Sequence, residues 1–273
     1  MVFPHRLLRS SHQFLRCQVV RTEFSRDSTF IPLFARQYSC TQGSTDQLLL
    51  RDFIYDCLYN PGKGYFASPC TPVGSIDSKL HFGNLLGRGG YNYKLRQLYQ
   101  QLQVSWLTPS EIFSPYYGRA LAKCVLADYT QHGKSEPLQV FELGAGTGTV
   151  AKDVLDYVET HAPDVYSNMK YTTVEISANL AGLQHQKAAL DGGHIKTMAV
   201  EHRDVADAAG WGQSDSLCYI LALEVFDNLP HDRIVYQDGE WFETHVIQPH
   251  DHSTPEETLQ PLQDSLIKRC MTR

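Results

Sequence analysis

The sequence predicts an α/β protein built around a doubly wound parallel sheet. Four short segments, at residues 138–143, 170–175, 197–201 and 217–223, are predicted strands and are separated by stretches with helical periodicity. A glycine-rich turn at residues 144–149 directly follows the first segment. Strands that alternate with helices of about ten to fifteen residues are typical of a parallel sheet with crossover helices. In such a sheet, ligands bind outside the carboxyl ends of the strands.

The composition argues against several classes of protein. The formal net charge of −6 over 273 residues argues against a nucleic-acid binder that works through a basic surface. No run of eighteen apolar residues occurs, so we expect no membrane-spanning helix. The seven cysteines are scattered and form no Cys-x-x-Cys pair, which predicts reduced thiols and no metal site.

Residues 1–40 have the composition of a mitochondrial import signal. They contain six arginines, no lysine and only two acidic residues, with serines and apolar residues between them. Residues 36–39 (Arg-Gln-Tyr-Ser) resemble the site that the matrix processing peptidase cuts. We therefore predict a cleaved leader and a matrix location, with a disordered basic tail as the alternative.

Residues 41–137 are expected to form a helical cap. Apolar residues at helical spacing predict a helix over residues 49–58, and one short helix among loops is expected around residues 93–102. Residues 108–111 (Thr-Pro-Ser-Glu) have the form of a capping box with proline in the first helical position. A further helix is predicted to restart at residues 114–115 and to end at Gly133.

The predicted core domain spans residues 138–247. Helices over residues 150–159 and 177–190 connect its strands, and Ser177 can cap the second helix. Alternating residues on both sides of Asp238-Gly239 predict a β-hairpin after the fourth strand.

The glycine turn predicts the kind of ligand. Its glycines, Gly144, Gly146 and Gly148, follow a Gly-x-Gly-x-Gly pattern, whereas dinucleotide folds usually carry Gly-x-Gly-x-x-Gly. Positions without side chains let the backbone approach a ligand that has no phosphate, here the amino-acid end of S-adenosyl-L-methionine. Glu142 lies two residues earlier, where it could hold the ammonium group of that ligand.

Two further acids are placed to complete this site. Glu175 ends the second predicted strand and could accept both ribose hydroxyls, while Asp204, after the third strand, could meet the adenine amine. Each hydrogen bond to a charged group contributes roughly 1.5–3 kcal/mol. The alternative is an ordinary tight turn flanked by solvated acids. A site for NAD ranks lower because of the glycine spacing and because no catalytic Cys, His or Tyr set lies nearby.

These segments resemble the MidA family of mitochondrial and bacterial methyltransferases. The resemblance rests on residues 141–148, 171–177 and 224–230, with weaker blocks at residues 61–66 and 108–118. It implies a Rossmann-like class I methyltransferase fold with S-adenosyl-L-methionine as cofactor. It also implies protein-arginine methylation connected with the assembly of respiratory complex I, so that the expected partner is a protein substrate such as a complex I subunit.

Two carboxylates after the fourth strand are the candidate catalytic residues. Glu224 and Asp227 follow that strand and would project toward the transferred methyl group. A carboxylate can grip a guanidinium through two parallel hydrogen bonds, so Glu224 is assigned that grip and Asp227 a second acceptor or proton sink. Alternatively, Asp227 caps the turn that ends at Pro230 and Glu224 is a structural ion-pair partner.

The sheet is expected to be incomplete at its C-terminal end. A methyltransferase sheet of this type needs about three further strands, whereas residues 248–273 predict a polar tail with one kinked helix that begins at residues 254–257. We therefore expect a chain truncated relative to the family, with an open edge at the fourth strand. The position before Glu224, usually Asn or His in the family, is Leu223. Both features keep open a non-catalytic assembly or interaction protein that retains the cofactor fold.

Overall fold

The computed structural model has a five-stranded main sheet at its centre. It describes residues 19–22, 46–67, 74–76, 79–102, 107–133, 136–205, 217–248 and 254–272. Its strands are β1 (Val19–Thr22), β3 (Gln139–Leu143), β4 (Lys170–Glu175), β5 (Met198–His202) and β6 (Cys218–Ala222). Their order across the sheet is β1-β6-β3-β4-β5. Strands β3, β4, β5 and β6 run parallel, and β1 pairs antiparallel with β6.

Two groups of helices surround this sheet. The N-terminal helices are α1 (Leu50–Tyr59), α2 (Gly87–Leu102), α3 (Pro109–Ile112) and α4 (Tyr116–Gln131). The crossover helices are α5 (Thr149–His161), the short α6 (Pro163–Tyr166) and α7 (Ala178–Gln184), which continues as a π-helical segment over His185–Leu190. Within the described ranges, no helix combines the length and the apolar character needed to cross a membrane.

The predicted parallel sheet is confirmed, and its strands begin and end within two residues of the predicted positions. The reason is that consecutive side chains of strands such as β3 and β4 are buried, and these side chains point to both faces of the sheet. Val154 and Leu155 of α5 pack with Tyr171 of β4 in one core, to which α4 contributes Leu121 and Val125. Full burial of such a side chain stabilises the fold by about 1.5–3 kcal/mol.

The N-terminal region differs from the predicted cap in two respects. Helix α2 begins at Gly87, six residues before the predicted start, so the glycine-rich residues 87–90 lie in its first turn rather than in a loop. Helix α4 packs on α5 within the core of the main sheet. The domain boundary at residue 137 stays a prediction. Helix α4, which precedes it, shares a hydrophobic core with the strands and helices of residues 138–247.

The C-terminal residues form strands where a helix was predicted. A second sheet has the order β2 (Asp46–Leu49), β8 (Glu240–Gln248), β7 (Ile234–Gln237), and β9 (Glu256–Pro261) also pairs with β8. The β7–β8 hairpin agrees with the prediction. The helix predicted from residues 254–257 is wrong, because pairing with β8 extends this segment. A helix, α8 (Ser265–Met271), begins only after Asp264, whose side chain accepts hydrogen bonds from the backbone N–H groups of Leu266 and Ile267.

The predicted open edge of the main sheet is also wrong for this structure. Residues Val19–Thr22 cover the edge of β6, with Val19 opposite Leu221 and Thr22 opposite Cys218. These four residues belong to the predicted import signal. The rest of that signal, including Arg36, lies outside the described residues.

Candidate functional site

The glycine turn after β3 adopts a left-handed backbone at three positions. The φ angles are +60° at Gly144, +56° at Gly146 and +83° at Gly148. A Cβ atom at Gly148 would lie 2.9 Å from Cα of Gln184, whereas one at Gly146 would meet no atom within 4 Å. Gly148 therefore permits close packing of α7, and Gly146 leaves space open for a ligand.

A cavity of about 300 Å³ lies at the carboxyl ends of the parallel strands. This volume is at the lower end of the range of small-molecule sites, about 300–1,000 Å³. The predicted site residues on its wall are Glu142, Gly144, Gly146, Glu175, Asp204 and Glu224. Gly148 and Asp227 are not among the described residues that line it.

Glu142 is buried below the glycine turn. Its side chain is 2% exposed, and Oε2 accepts a hydrogen bond of 2.8 Å from the hydroxyl of Tyr171. Burial, together with the nearby charge of Glu175, raises the pKa of Glu142 to about 8, although the hydrogen bond from Tyr171 opposes the rise. Near neutral pH this carboxyl group is therefore largely protonated until a cation enters the cavity.

Glu175 is held by donors on both oxygens. Oε1 accepts from the backbone N–H of Ser177 and Oε2 from the side-chain amide of Gln184, both at 3.0 Å. Burial raises the pKa of Glu175 above its usual value, although these donors oppose the shift. A third donor, the backbone N–H of Ile176, acts in the same direction.

Gln184 is a site residue that sequence reasoning missed. Its side chain is fully buried, and its amide also donates to the carbonyl oxygen of Gly146 at 2.9 Å. It thereby ties the glycine turn to Glu175. A polar residue at a buried helical position was the available signal, but nothing local identified its partners.

Asp204 and aromatic residues of α1 line the same cavity. Asp204 is exposed just after β5, while Tyr55 and Tyr59 come from α1. Burial raises the pKa of Tyr59 to about 12, and the charges of Asp204 and Glu175 contribute to the rise. Helix α1 therefore adds aromatic side chains to a cavity that acids also line, which the sequence did not predict.

The two predicted catalytic acids lie in a strained turn after β6. Glu224 is exposed and has a φ of +54°, a conformation that costs a non-glycine residue about 1–2 kcal/mol. Burial of part of its side chain and the charge of Asp227 raise the pKa of Glu224. Asp227 is exposed, and it is Asn228 that forms the side-chain bond of this turn, to the carbonyl oxygen of Glu224 at 3.0 Å.

The capping box at residues 108–111 forms in part, and its glutamate has a different role. Thr108 accepts from the N–H of Glu111, as predicted. The Glu111 carboxylate, however, accepts from the hydroxyls of Thr147 and Thr149 in the glycine turn. Lys187 lies 3.3 Å from the same oxygen. The sequence predicts only a local cap for Glu111 because these other partners lie 35 or more residues away.

Arg51 of α1 was also missed. It lines the cavity and forms ion pairs of 2.6 Å with Asp232 and with Asp264. The burial of Arg51 would lower its pKa, but the hydrogen bonds that it donates to Asp264 and Asp232, with their charges, dominate and raise it. This pair of contacts fastens the segments around the second sheet to the helix that walls the cavity.

Comparison with known proteins connects this geometry to one family. The profile of a family of S-adenosyl-L-methionine-dependent methyltransferases matches residues 120–273. The mitochondrial protein arginine methyltransferase NDUFAF7 homolog of Schizosaccharomyces pombe is 24% identical over 203 residues, which are 70% of this chain and 41% of that protein. The Drosophila melanogaster homolog is 27% identical over 225 residues, 77% of this chain and 43% of that protein. The chain thus spans less than half the length of these relatives.

A solved structure shows the same fold. A protein from Burkholderia thailandensis, crystallised with S-adenosyl-homocysteine, superposes with a TM-score of 0.56 at 18% identity. The match covers 83% of this chain and 49% of that one. It confirms the predicted Rossmann-like class I methyltransferase fold.

Proposed function

Because the chain belongs to this family of S-adenosyl-L-methionine-dependent methyltransferases, we propose that its cavity binds S-adenosyl-L-methionine and that it methylates arginine in a protein. The carrying observation is the pair of buried carboxylates, Glu142 and Glu175, which end the adjacent strands β3 and β4 beside the glycine turn. The names of the relatives, which are protein arginine methyltransferases, support arginine as the acceptor.

The residues present fit this cofactor. The space beside Gly146 is a cradle that a larger side chain would fill. Glu142 would hold the ammonium group, since a cation favours its ionised form, and the carboxylate of Glu175 would accept from the ribose hydroxyls. Asp204 would accept from the adenine amine at the exposed end of the cavity.

The chemistry requires little beyond positioning. When bound, the cofactor supplies a methyl group that is already activated on a sulfonium. The protein therefore has to orient the acceptor nitrogen and exclude water. Glu224 would grip the guanidinium by two parallel hydrogen bonds, which directs one nitrogen at the methyl group.

The methylated nitrogen must lose one proton. The raised pKa of Glu224 makes it a better proton acceptor than an ordinary exposed carboxylate. Asp227 is exposed toward solvent and would pass the proton to water. Arginine thus loses one N–H proton and gains one methyl group, and the sulfonium becomes a thioether.

We further place the chain in the mitochondrial matrix, acting on a subunit of complex I. The arginine-rich residues 1–40 and the mitochondrial names of the relatives support the location. The partner rests on the family resemblance of the sequence motifs.

A non-catalytic assembly protein is the second candidate. It is favoured by Leu223, which lines the cavity where the resemblance leads us to expect Asn or His, and by the exposure of Glu224. Such a protein would bind the cofactor without transferring its methyl group.

Calorimetry of the full chain against S-adenosyl-homocysteine and NAD, each titrated separately, tests the cofactor. We expect binding of the first and none of the second. Incubation with tritiated S-adenosyl-L-methionine and a matrix-protein extract, followed by amino-acid analysis, then tests the acceptor. Label in methylarginine supports the enzyme, whereas binding without transfer supports the assembly protein. Binding of NAD alone would contradict both.

A further inference from the structure

Three segments that are distant in sequence meet at the carboxylate of Glu111, which is 5% exposed. Its Oε1 accepts from the hydroxyls of Thr147 and Thr149 and lies 3.3 Å from Nζ of Lys187. Its Oε2 accepts from the backbone N–H of Ile76 at 3.2 Å. The N-terminal region, the glycine turn and the π-helical segment are therefore joined at one group.

Lys187 completes the cluster. Its ammonium lies 2.5 Å from the hydroxyl of Thr149, 3.2 Å from that of Thr147 and 2.7 Å from that of Ser75. The three protons of an ammonium are thus shared among hydroxyls and one carboxylate. A π-helical turn, which is rare and frequently found at functional sites, places Lys187 here.

The effect of this cluster on geometry is larger than its expected effect on stability. A buried ion pair contributes little net stability compared with apolar residues of the same volume, because desolvation offsets the attraction. A fully bonded polar network does fix the orientation of each member. Here two members, Thr147 and Thr149, flank Gly148 in the turn that lines the cavity.

The glycines do not fix the conformation of this turn by themselves, because glycine adopts positive and negative φ angles about equally well. Three of them have left-handed φ angles, and Gln184 holds the turn through the carbonyl oxygen of Gly146. Glu111 holds it through the hydroxyls of Thr147 and Thr149. Glu111 also lines the same cavity as the turn.

We propose that Glu111 is a positioning residue for the glycine turn, so that cofactor binding depends on a carboxylate from the N-terminal region. The proposal rests on the cofactor site proposed above. It assigns Glu111 an action through Thr147 and Thr149 on the amino-acid end of the ligand. Binding of the ligand and ordering of residues 108–112 are then coupled.

The chain offers a matched control at Asp153. This carboxylate is also 5% exposed and also joins the N-terminal region to α5, accepting from the hydroxyl of Ser114 at 2.7 Å. It is not among the described residues of the cavity wall. The variants Glu111→Gln and Asp153→Asn therefore each neutralise one buried carboxylate between the same two regions, and only the first touches the glycine turn.

The test uses the full chain with calorimetry and hydrogen exchange. Glu111→Gln should weaken the binding of S-adenosyl-homocysteine about ten- to a hundredfold, the usual span of coupling between linked sites, and Asp153→Asn by less than about threefold. In the parent and in Asp153→Asn, the ligand should slow amide exchange over residues 108–112, and in Glu111→Gln it should not. Lys187→Met, which leaves the carboxylate in place, should weaken binding in the same direction.

Two results would overturn the proposal. One is equal affinity of Glu111→Gln and the parent; the other is equal loss in Glu111→Gln and Asp153→Asn, which would make both carboxylates merely structural. If the parent itself does not bind, the proposed function fails. Amide hydrogen exchange measured without ligand then tests the positioning role alone. Residues 144–150 should exchange faster in Glu111→Gln than in Asp153→Asn, and equal exchange rates would reject the positioning role.

Discussion

The side-chain amide of Gln184 donates to Oε2 of Glu175 over 3.0 Å, and its second hydrogen reaches the carbonyl oxygen of Gly146. One buried side chain therefore sets the distance between the turn that follows β3 and the acid that ends β4. Because ligands in this fold bind across the ends of neighbouring strands, this distance determines whether the site fits its ligand.

We expect Gln184→Leu to uncouple these two groups. The variant keeps the volume but leaves the buried Oε2 of Glu175 and the partly buried carbonyl oxygen of Gly146 without this donor, and an orphaned buried group costs about 1–3 kcal/mol. Affinity for S-adenosyl-homocysteine should fall at least about tenfold by calorimetry, and the free energy of unfolding should fall by a few kcal/mol in urea. Gln186→Leu is the control, since that side chain is exposed and pairs with Asp191. Equal affinity in both variants would contradict the role of Gln184.

Gly146→Val should remove cofactor binding while the fold persists. A Cβ at this position meets no protein atom within 4 Å, so the branched side chain enters the space assigned to the ligand. The φ of +56° costs about 1–3 kcal/mol with a side chain. Gly193→Val carries similar strain, because its φ is +79° and its Cβ also meets nothing within 4 Å. If both variants lose equal stability but only Gly146→Val loses binding by calorimetry, the turn is the site.

The strands could be predicted because their signal is local. Residues 171–174 are aromatic or β-branched, and the strand that they form over residues 170–175 is buried in the sheet, so sequence and structure agree at both ends. Strand β9 could not be predicted, since residues 254–257 satisfy the pattern of a helix cap. The segment is extended because it pairs with β8, for example Glu257 with Val246, and this pairing is not visible in the local sequence.

Residues of the candidate site could be predicted where the type of residue and its position in the local sequence are enough to suggest a role. Glu142 and Glu175 follow from their positions at the ends of two strands beside a glycine turn. Gln184 and Glu111 could not be found, because their partners lie 9 to 38 residues away and across the fold. Asp227 was predicted from its spacing alone, and the short helical turn over Phe226–Asn228 leaves it exposed rather than on the cavity wall.

The raised pKa of Glu142 predicts that stability decreases as pH rises. In the unfolded chain this group ionises near its usual pKa of about 4.3, whereas in the folded chain it keeps its proton up to about pH 8. The folded state binds more protons over this interval, so its contribution to stability is complete below the unfolded pKa and is lost as pH approaches 8. Relative to Glu142→Gln, the parent should lose about 3–4 kcal/mol between pH 5 and 8 in urea titrations. A pH-independent difference would contradict this.

The same group predicts that cofactor binding releases protons. The ammonium end of the ligand favours the ionised form of Glu142, so affinity should rise as pH increases toward 8. Calorimetry at pH 7 in two buffers with different ionisation heats measures the protons released. Release should disappear in Glu142→Gln, and release that persists there would assign it to another group.

The import prediction can be separated from the fold. A fusion of residues 1–40 to a fluorescent protein should enter mitochondria and lose about 38 residues, because arginine-rich, acid-poor leaders are recognised in this way. Microscopy and mass spectrometry of the new N-terminus measure both steps. Arg36→Ala should shift the cut, and an uncut cytosolic fusion would refute the leader. Processing there would also remove Val19–Thr22 from β6, so the processed chain should be less stable than the full chain.

Glu224→Gln separates an enzyme from an assembly protein. The variant keeps the size of the side chain but loses the charge and one acceptor oxygen, so the guanidinium would be held by one bond instead of two. Positioning errors of this kind cost on the order of a hundredfold in rate, while Glu142 and Glu175 would still hold the cofactor. We therefore expect affinity for S-adenosyl-homocysteine within about threefold of the parent and nearly complete loss of tritium transfer to a matrix-protein extract. Glu240→Gln, which changes an exposed carboxylate at the start of β8, is the control and should transfer at the parental rate.

If the parent binds the cofactor and transfers nothing, the chain is an assembly protein. If Glu224→Gln transfers as fast as the parent, Glu224 is structural, and Asp227→Asn becomes the variant that must lose activity.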